Sequence, residues 1–164
     1  MDQILKELRI EERGDKVFLP HFEKPRMIGD EKEYPYHLIP YVPMTAAEGR
    51  GANQPYLQEI YGPHLYERWD SWVEINPETA KAMGIEDGDL IWVESPVKKP
   101  KGRARLFPGT DPHCIHIPYG QGHQAYGRWA KGRGINPNQL LAREYDHLGG
   151  FVSYFSTRVK VYKA

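Results

Sequence analysis

Cysteine is almost absent: Cys114 is the single thiol in 164 residues. That excludes an internal disulfide framework and any CxxC-type zinc or iron–sulfur site built from this chain. Long apolar runs are missing as well. None approaches the roughly 18–20 residues of a membrane-spanning helix. The N-terminal stretch MDQILKELRIEERGDK is charged where a signal peptide carries its apolar segment. The compartment is therefore cytoplasmic by default, with export beside a signal-bearing partner left open. Net charge is missing too. The 22 Lys and Arg balance 22 Asp and Glu, so no global field draws the chain to nucleic acid or anionic lipid. There is no internal repeat and no long low-complexity tract.

What is present is an ordinary globular composition, 40% hydrophobic and 27% charged. At this length the expectation is one domain with a real core. The 16 glycines and 14 prolines favour short strands and turns over long helices. The clearest pattern runs from Trp72 to Pro96. Trp72–Ile75 is aromatic and β-branched, hence extended. Asn76 is an N-cap, Pro77 suits the first helical position, and Ala80, Met83 and Ala82 give the helix an apolar side. Gly84 stops it. Glu86-Asp87-Gly88-Asp89 turns the chain, and Leu90–Glu94 resumes as a strand.

Elsewhere the elements are shorter. Residues 1–12 form a short amphipathic helix or an arm, with Ile4, Leu5 and Leu8 on one face. Val17–Phe22 is a short strand candidate. Tyr36–Met44 is extended, and Pro40 and Pro43 place it at a sheet edge or a bulge. Pro55–Tyr61 is a two-turn helix with Leu57, Ile60 and Tyr61 inward, ended by Gly62-Pro63. His64–Trp69 is an aromatic loop. Lys98–Gly102 is a basic hairpin tip, and Arg103–Phe107 a strand. In His113-Cys-Ile-His116, strand alternation puts His113 and Ile115 on one face and Cys114 and His116 on the other, too few convergent ligands for zinc. Asn136 caps a short helix over 135–141. Phe151–Tyr162 is the longest strand candidate.

Two glycine-rich loops stand out. Thr45-Ala-Ala-Glu-Gly-Arg-Gly-Ala-Asn-Gln-Pro55 can bring its backbone close to a ligand and offer N–H groups to phosphate. Tyr119–Gly134 contains Gly120, Gly122 and Ala125 in a G-x-G-x-x-A pattern. Gly127, Gly132 and Gly134 then interrupt the helix that a Rossmann fold requires, and no train of β-α units surrounds it. The sum is a mainly β chain with short helices plugging or flanking a mixed barrel.

The motif Asn-Pro-Glu-x-Ala, then Met-Gly-Ile-x-Asp-Gly-Asp before an apolar strand, resembles the C-terminal molybdopterin dinucleotide-binding domain of the DMSO-reductase family of molybdenum or tungsten oxidoreductases. The likeness runs from about Tyr34 to Lys163. EGRGANQPYLQE and GHQAYGRWAKGRGINPN are most similar to the branch of polysulfide and thiosulfate reductases. This resemblance implies a six-stranded double-psi β-barrel over 34–164, with 1–33 as an arm or linker. It implies molybdopterin guanine dinucleotide as the cofactor, carrying molybdenum or tungsten. It places Thr45, Gly49, Gly51, Asn53 and Gln54 in one cofactor loop, and Gly120, Gln121, Gly122, His123 and Arg128 in the second. Asn136 and Asn138 fall near the pterin, and Arg158, on the closing strand, is either a cofactor-binding residue that pairs a phosphate or a strand-end surface charge.

Those residue types suit the ligand. A pyrophosphate takes backbone N–H groups and an Arg. Pterin and guanine edges take amides that both donate and accept. The family's metal ligand (Cys, Ser, selenocysteine or Asp) and its iron–sulfur cysteines belong to other segments, and Cys114 is not in the ligand segment. The resemblance thus implies a large catalytic subunit as partner, with an iron–sulfur subunit and a membrane quinone subunit beyond it. The alternative is a cofactor-free structural subunit of a quinone-linked membrane redox complex.

Overall fold

The computed structural model describes residues 2–7, 9, 14–22, 24–43, 45–60, 67–125, 127–146 and 149–164. Six strands carry the fold: β1 Tyr36–Tyr41, β2 Trp72–Ile75, β3 Leu90–Glu94, β4 Lys101–Leu106, β5 Cys114–Pro118 and β6 Arg158–Lys163. They close into a barrel in the order β1-β5-β2-β4-β3-β6, with β6 returning to β1. Two pairs are parallel, β1 with β5 and β2 with β4; the remaining four are antiparallel. Exchanging β1–β3 for β4–β6 leaves every pairing and direction unchanged. This internal two-fold topology is the double-psi β-barrel.

Strand alternation builds the core. Leu38, Val73, Ile75, Ile91, Val93, Ile115, Ile117 and Val159 point inward and are buried, with Leu140 and Ile135 plugging from the loops. Each such side chain contributes about 1.5–3 kcal/mol, so the barrel interior dominates stability. Cys114 and His116 face outward, as alternation requires. Among the described residues no group of three or more His, Cys, Asp or Glu could hold a metal.

The described residues form four short α-helices besides the strands: α1 Asp2–Glu7, α2 Asp15–Phe18, α3 Pro55–Ile60 and α4 Pro77–Ala82. The organising stretch forms as its residues dictate. Asn76 Oδ1 accepts from the Glu78 N–H at 2.9 Å, Ala80 is fully buried, and Gly84 ends the helix at φ +66°. No described helix is long and apolar enough to cross a membrane.

Four expectations need correction. Val17–Phe22 is not a strand: Asp15–Phe18 is a helical turn closed by Leu19 N–H on the Asp15 carbonyl, and a closed barrel offers no free edge. β1 is not an edge strand. The Leu38 N–H points at Thr157 on the β6 side, so Pro40 points the same way, where the β6 ladder has already ended. Its missing N–H costs nothing there. In α3 the buried residue is Gln58, whose amide bonds the Ala52 carbonyl and the Trp69 N–H, while Ile60 is exposed. Finally, β6 begins only at Arg158, and Phe151–Phe155 lies outside the barrel. Leu8, Tyr61, 62–66 and Tyr126 lie outside the described residues.

Candidate functional site

The two glycine-rich loops meet at one end of the barrel. The first leaves β1, turns through a 3₁₀ segment at Ala47–Gly49, and enters α3. The second leaves β5, which runs parallel to β1, so both loops emerge on the same side. They touch directly. His123 Nε2 lies 3.2 Å from the Gly49 carbonyl, a geometry that places the ring proton on Nε2. Asn53 Oδ1 accepts from the Trp129 N–H at 2.7 Å and the Ala130 N–H at 3.1 Å. Gly122 lies so close to the 135–138 turn that a β-carbon there would sit 2.0 Å from the Asn136 nitrogen.

This packing leaves two clefts, one on each side of that turn. The larger, about 600 Å³, is lined by Tyr41, Glu48, Tyr119, Asn138, Tyr154 and Phe155 among others. The smaller, about 220 Å³, is lined by Gly122, His123, Gly134, Asn136 and Gln139 among others. Three buried side-chain atoms on the two loops have no hydrogen-bond partner among the described residues: Thr45 Oγ1, Tyr119 OH and Gln121 Oε1. An orphaned buried polar group costs about 1–3 kcal/mol. Burial, with Tyr154 adding to it, pushes the Tyr119 phenol up to about 12, so it remains a neutral donor at physiological pH. Ala47 and Glu48 hold left-handed backbone at φ +43° and +57°, and Glu48 is among the residues that line the larger cleft. Non-glycine residues in that region cost about 1–3 kcal/mol each and gather at functional sites.

The residues expected at the site do not all behave alike. Gly49, Asn53, Gly120 and His123 meet where the loops touch, whereas Gly51 packs against Thr45 within the first loop, Gln121 against Gly134 and Gly122 against Asn136. Gly51 is buried beneath Leu57, and Gln54 is exposed at the start of α3. Asn53 spends its carbonyl oxygen clamping one loop to the other. Asn136 caps the 3₁₀ turn Pro137–Gln139, accepting from the Asn138 N–H at 3.1 Å, and Asn138 is exposed at the larger cleft. Arg128 is exposed, its guanidinium 4.8 Å from the Trp129 ring centre.

Arg158 is not brought to the loops. It pairs with His37, four residues from Tyr41 on β1 and roughly 13 Å along the strand. Its guanidinium bonds the Pro35 carbonyl and Glu31, each at 3.3 Å. Sequence reasoning missed Tyr41, Glu48, Tyr119, Tyr154 and Phe155. Only Tyr119 carried a signal, as the last residue before the G-x-G.

A closed barrel with two touching glycine-rich loops beside a cleft that Tyr119 and Asn138 line has the form of a cofactor-binding domain. Residues 44–158 match the family model described as "Molydopterin dinucleotide binding domain". The chain belongs to this family, the molybdopterin dinucleotide-binding domain of the DMSO-reductase-type oxidoreductases, and its cofactor is molybdopterin guanine dinucleotide. It is similar to the molybdopterin-containing subunit ArrA of arsenate respiratory reductase from Chrysiogenes arsenatis, 34% identical over 180 residues, covering 100% of this chain and 21% of that one. The molybdopterin-containing subunit PhsA of thiosulfate reductase from Salmonella typhimurium is 34% identical over 111 residues, 66% of this chain and 14% of the relative. Among solved structures, acetylene hydratase from Pelobacter acetylenicus shares the fold at a TM-score of 0.69 and 21% identity, over 89% of this chain and 21% of that one. The chain spans about a fifth of the length of the first of these curated relatives.

Proposed function

We propose that this chain forms one wall of the molybdopterin guanine dinucleotide site of a molybdenum or tungsten oxidoreductase. The observation that carries this reading is the set of orphaned atoms on the two loops: Thr45 Oγ1, Tyr119 OH and Gln121 Oε1. A hydroxyl, a phenol and an amide carbonyl fit a ligand dense in donors and acceptors. They would hold the cofactor with the backbone of 120–123 and the Asn136 and Asn138 amides, while Arg128 supplies positive charge for a pyrophosphate. The cofactor supplies two-electron redox chemistry at its metal; these residues bind it, orient it and exclude water.

In this reading 34–164 is the binding domain and 1–33 an arm on its surface. The metal ligand comes from the large catalytic polypeptide, whether continuous with this chain or separate from it. An iron–sulfur subunit and a membrane quinone subunit are the electron partners. The test is cofactor content in the native assembly. Gln121→Leu and Thr45→Val are expected to lower pterin and metal retention by about tenfold, the equivalent of one lost hydrogen bond. Unchanged pterin and metal in both variants would overturn the reading.

A further inference from the structure

The outer face of the barrel carries a polar cluster spread over three neighbouring strands. Alternation turns Tyr41 of β1, His116 of β5, and Trp72 and Glu74 of β2 to the outside. Glu74 Oε1 accepts from the Tyr41 hydroxyl at 2.6 Å and from the Trp72 indole N–H at 2.9 Å. Glu74 Oε2 lies 3.6 Å from His116 Nδ1, and the Tyr41 hydroxyl accepts from the same indole at 3.1 Å. The Glu74 side chain is only 14% exposed. A carboxylate withdrawn from water adds little stability over apolar side chains of like volume. What it adds is one fixed arrangement of its partners.

The partner that reaches the larger cleft is Tyr41. It ends β1, where the first loop departs, and its carbonyl accepts the Tyr119 N–H at 2.8 Å, where the second loop departs. Its side chain lines the cleft with those of Tyr119, Tyr154 and Phe155. Aromatic walls of this kind suit a flat ligand. We propose that Glu74 is a positioning residue for the cofactor: through the Tyr41 hydroxyl it holds the Tyr41 ring as a fixed wall for a planar ring of the dinucleotide. This rests on reading the larger cleft as part of the cofactor site. Glu74 is not among the residues lining that cleft, so it acts through Tyr41. A ring already held in place loses little rotamer freedom when the ligand arrives, and the effect therefore falls on the loaded protein.

The test compares Glu74→Leu, Glu74→Gln, Tyr41→Phe and the double variant Tyr41→Phe/Glu74→Leu in the native assembly. Two quantities are read: the rate of pterin release, and the thermal midpoint of a cofactor-free preparation. Glutamine keeps an acceptor for the Tyr41 hydroxyl; leucine does not. Glu74→Leu and Tyr41→Phe are each expected to speed release about tenfold, the double variant no further, and Glu74→Gln by less than about twofold. Should Glu74→Leu fail to fold, Tyr41→Phe and Glu74→Gln make the same comparison. Release as fast from Glu74→Gln as from Tyr41→Phe, or a double variant whose effect is the product of the singles, would overturn the proposal. So would a lowered cofactor-free midpoint in Glu74→Leu with release unchanged in Tyr41→Phe, which is the mark of packing alone. A wild-type assembly without pterin would sink the cofactor reading and this proposal with it. That failure is seen in the wild type and the others only in the variants, so the two are distinct.

Discussion

Gly120 and Ala46 are in direct contact: a β-carbon on Gly120 would lie 2.4 Å from that of Ala46. Ala46 is itself buried, and Gly120 holds φ +117°, so neither can withdraw. The two cofactor loops are thus packed on each other as one body. Gly120→Ala is expected to lower stability by about 2–4 kcal/mol through strain and overlap together. A denaturant midpoint unchanged from wild type would show that the loops are not joined there.

Asn53 joins the same loops by hydrogen bonding. Its Oδ1 serves two backbone N–H groups, on Trp129 and Ala130. Asn53→Leu leaves both donors to find water, at a cost of about 1–3 kcal/mol. Faster hydrogen exchange at the amides of 129 and 130, with the β2–β4 amides unaffected, is the expected signature.

Tyr119 offers a test in which the sign depends on the ligand. Its hydroxyl is buried without a partner, so Tyr119→Phe is expected to leave the cofactor-free protein as stable or more stable, by up to about 1 kcal/mol. In the loaded protein the same change removes a donor and should speed cofactor loss. Thermal midpoints of both forms decide it; destabilisation of both to the same extent would assign Tyr119 a packing role alone.

Glu74 and His116 form the one register pair between β2 and β5, on the internal two-fold axis. Burial pushes the Glu74 carboxyl up, but His116, the Tyr41 hydroxyl at 2.6 Å and the Trp72 indole at 2.9 Å outweigh it and hold it below the ordinary 4.5. As pH falls, the unfolded chain takes up this proton first. The contribution is therefore complete above 4.5 and lost as pH falls through the lower, folded value. Glu74→Gln is expected to flatten the acid limb of the stability curve in that window. An acid limb as steep as wild type's would remove Glu74 from the account.

Arg158 separates two roles. Arg158→Gln is expected to loosen the strap at Ile28–Pro35, read as new protease sensitivity there, because Glu31 and the Pro35 carbonyl lose their partner. Cofactor retention should be preserved. Loss of cofactor with an intact strap would return Arg158 to the binding site.

Local chemistry decided much of this molecule. The Asn76 cap, the Pro77 start and the Gly84 stop need only neighbouring residues, so they are legible in the chain. The outward placement of His116 follows from alternation alone. The glycine-rich loops were legible as places where backbone can approach a partner, because only missing side chains permit that approach.

What the sequence could not decide was where those pieces meet. Phe151–Phe155 alternates as a strand does, yet the barrel closes with six strands and no edge remains for it. Pro40 reads as an edge residue, yet the register of β6 ends just before it. Arg158 falls in the family motif, yet the stagger of β6 on β1 carries it to the far end. The orphaned hydroxyl of Thr45 lies more than seventy positions before the phenol of Tyr119 and the amide of Gln121. Only barrel closure, which sets β1 parallel to β5, brings the two loops that carry them to one end of the molecule.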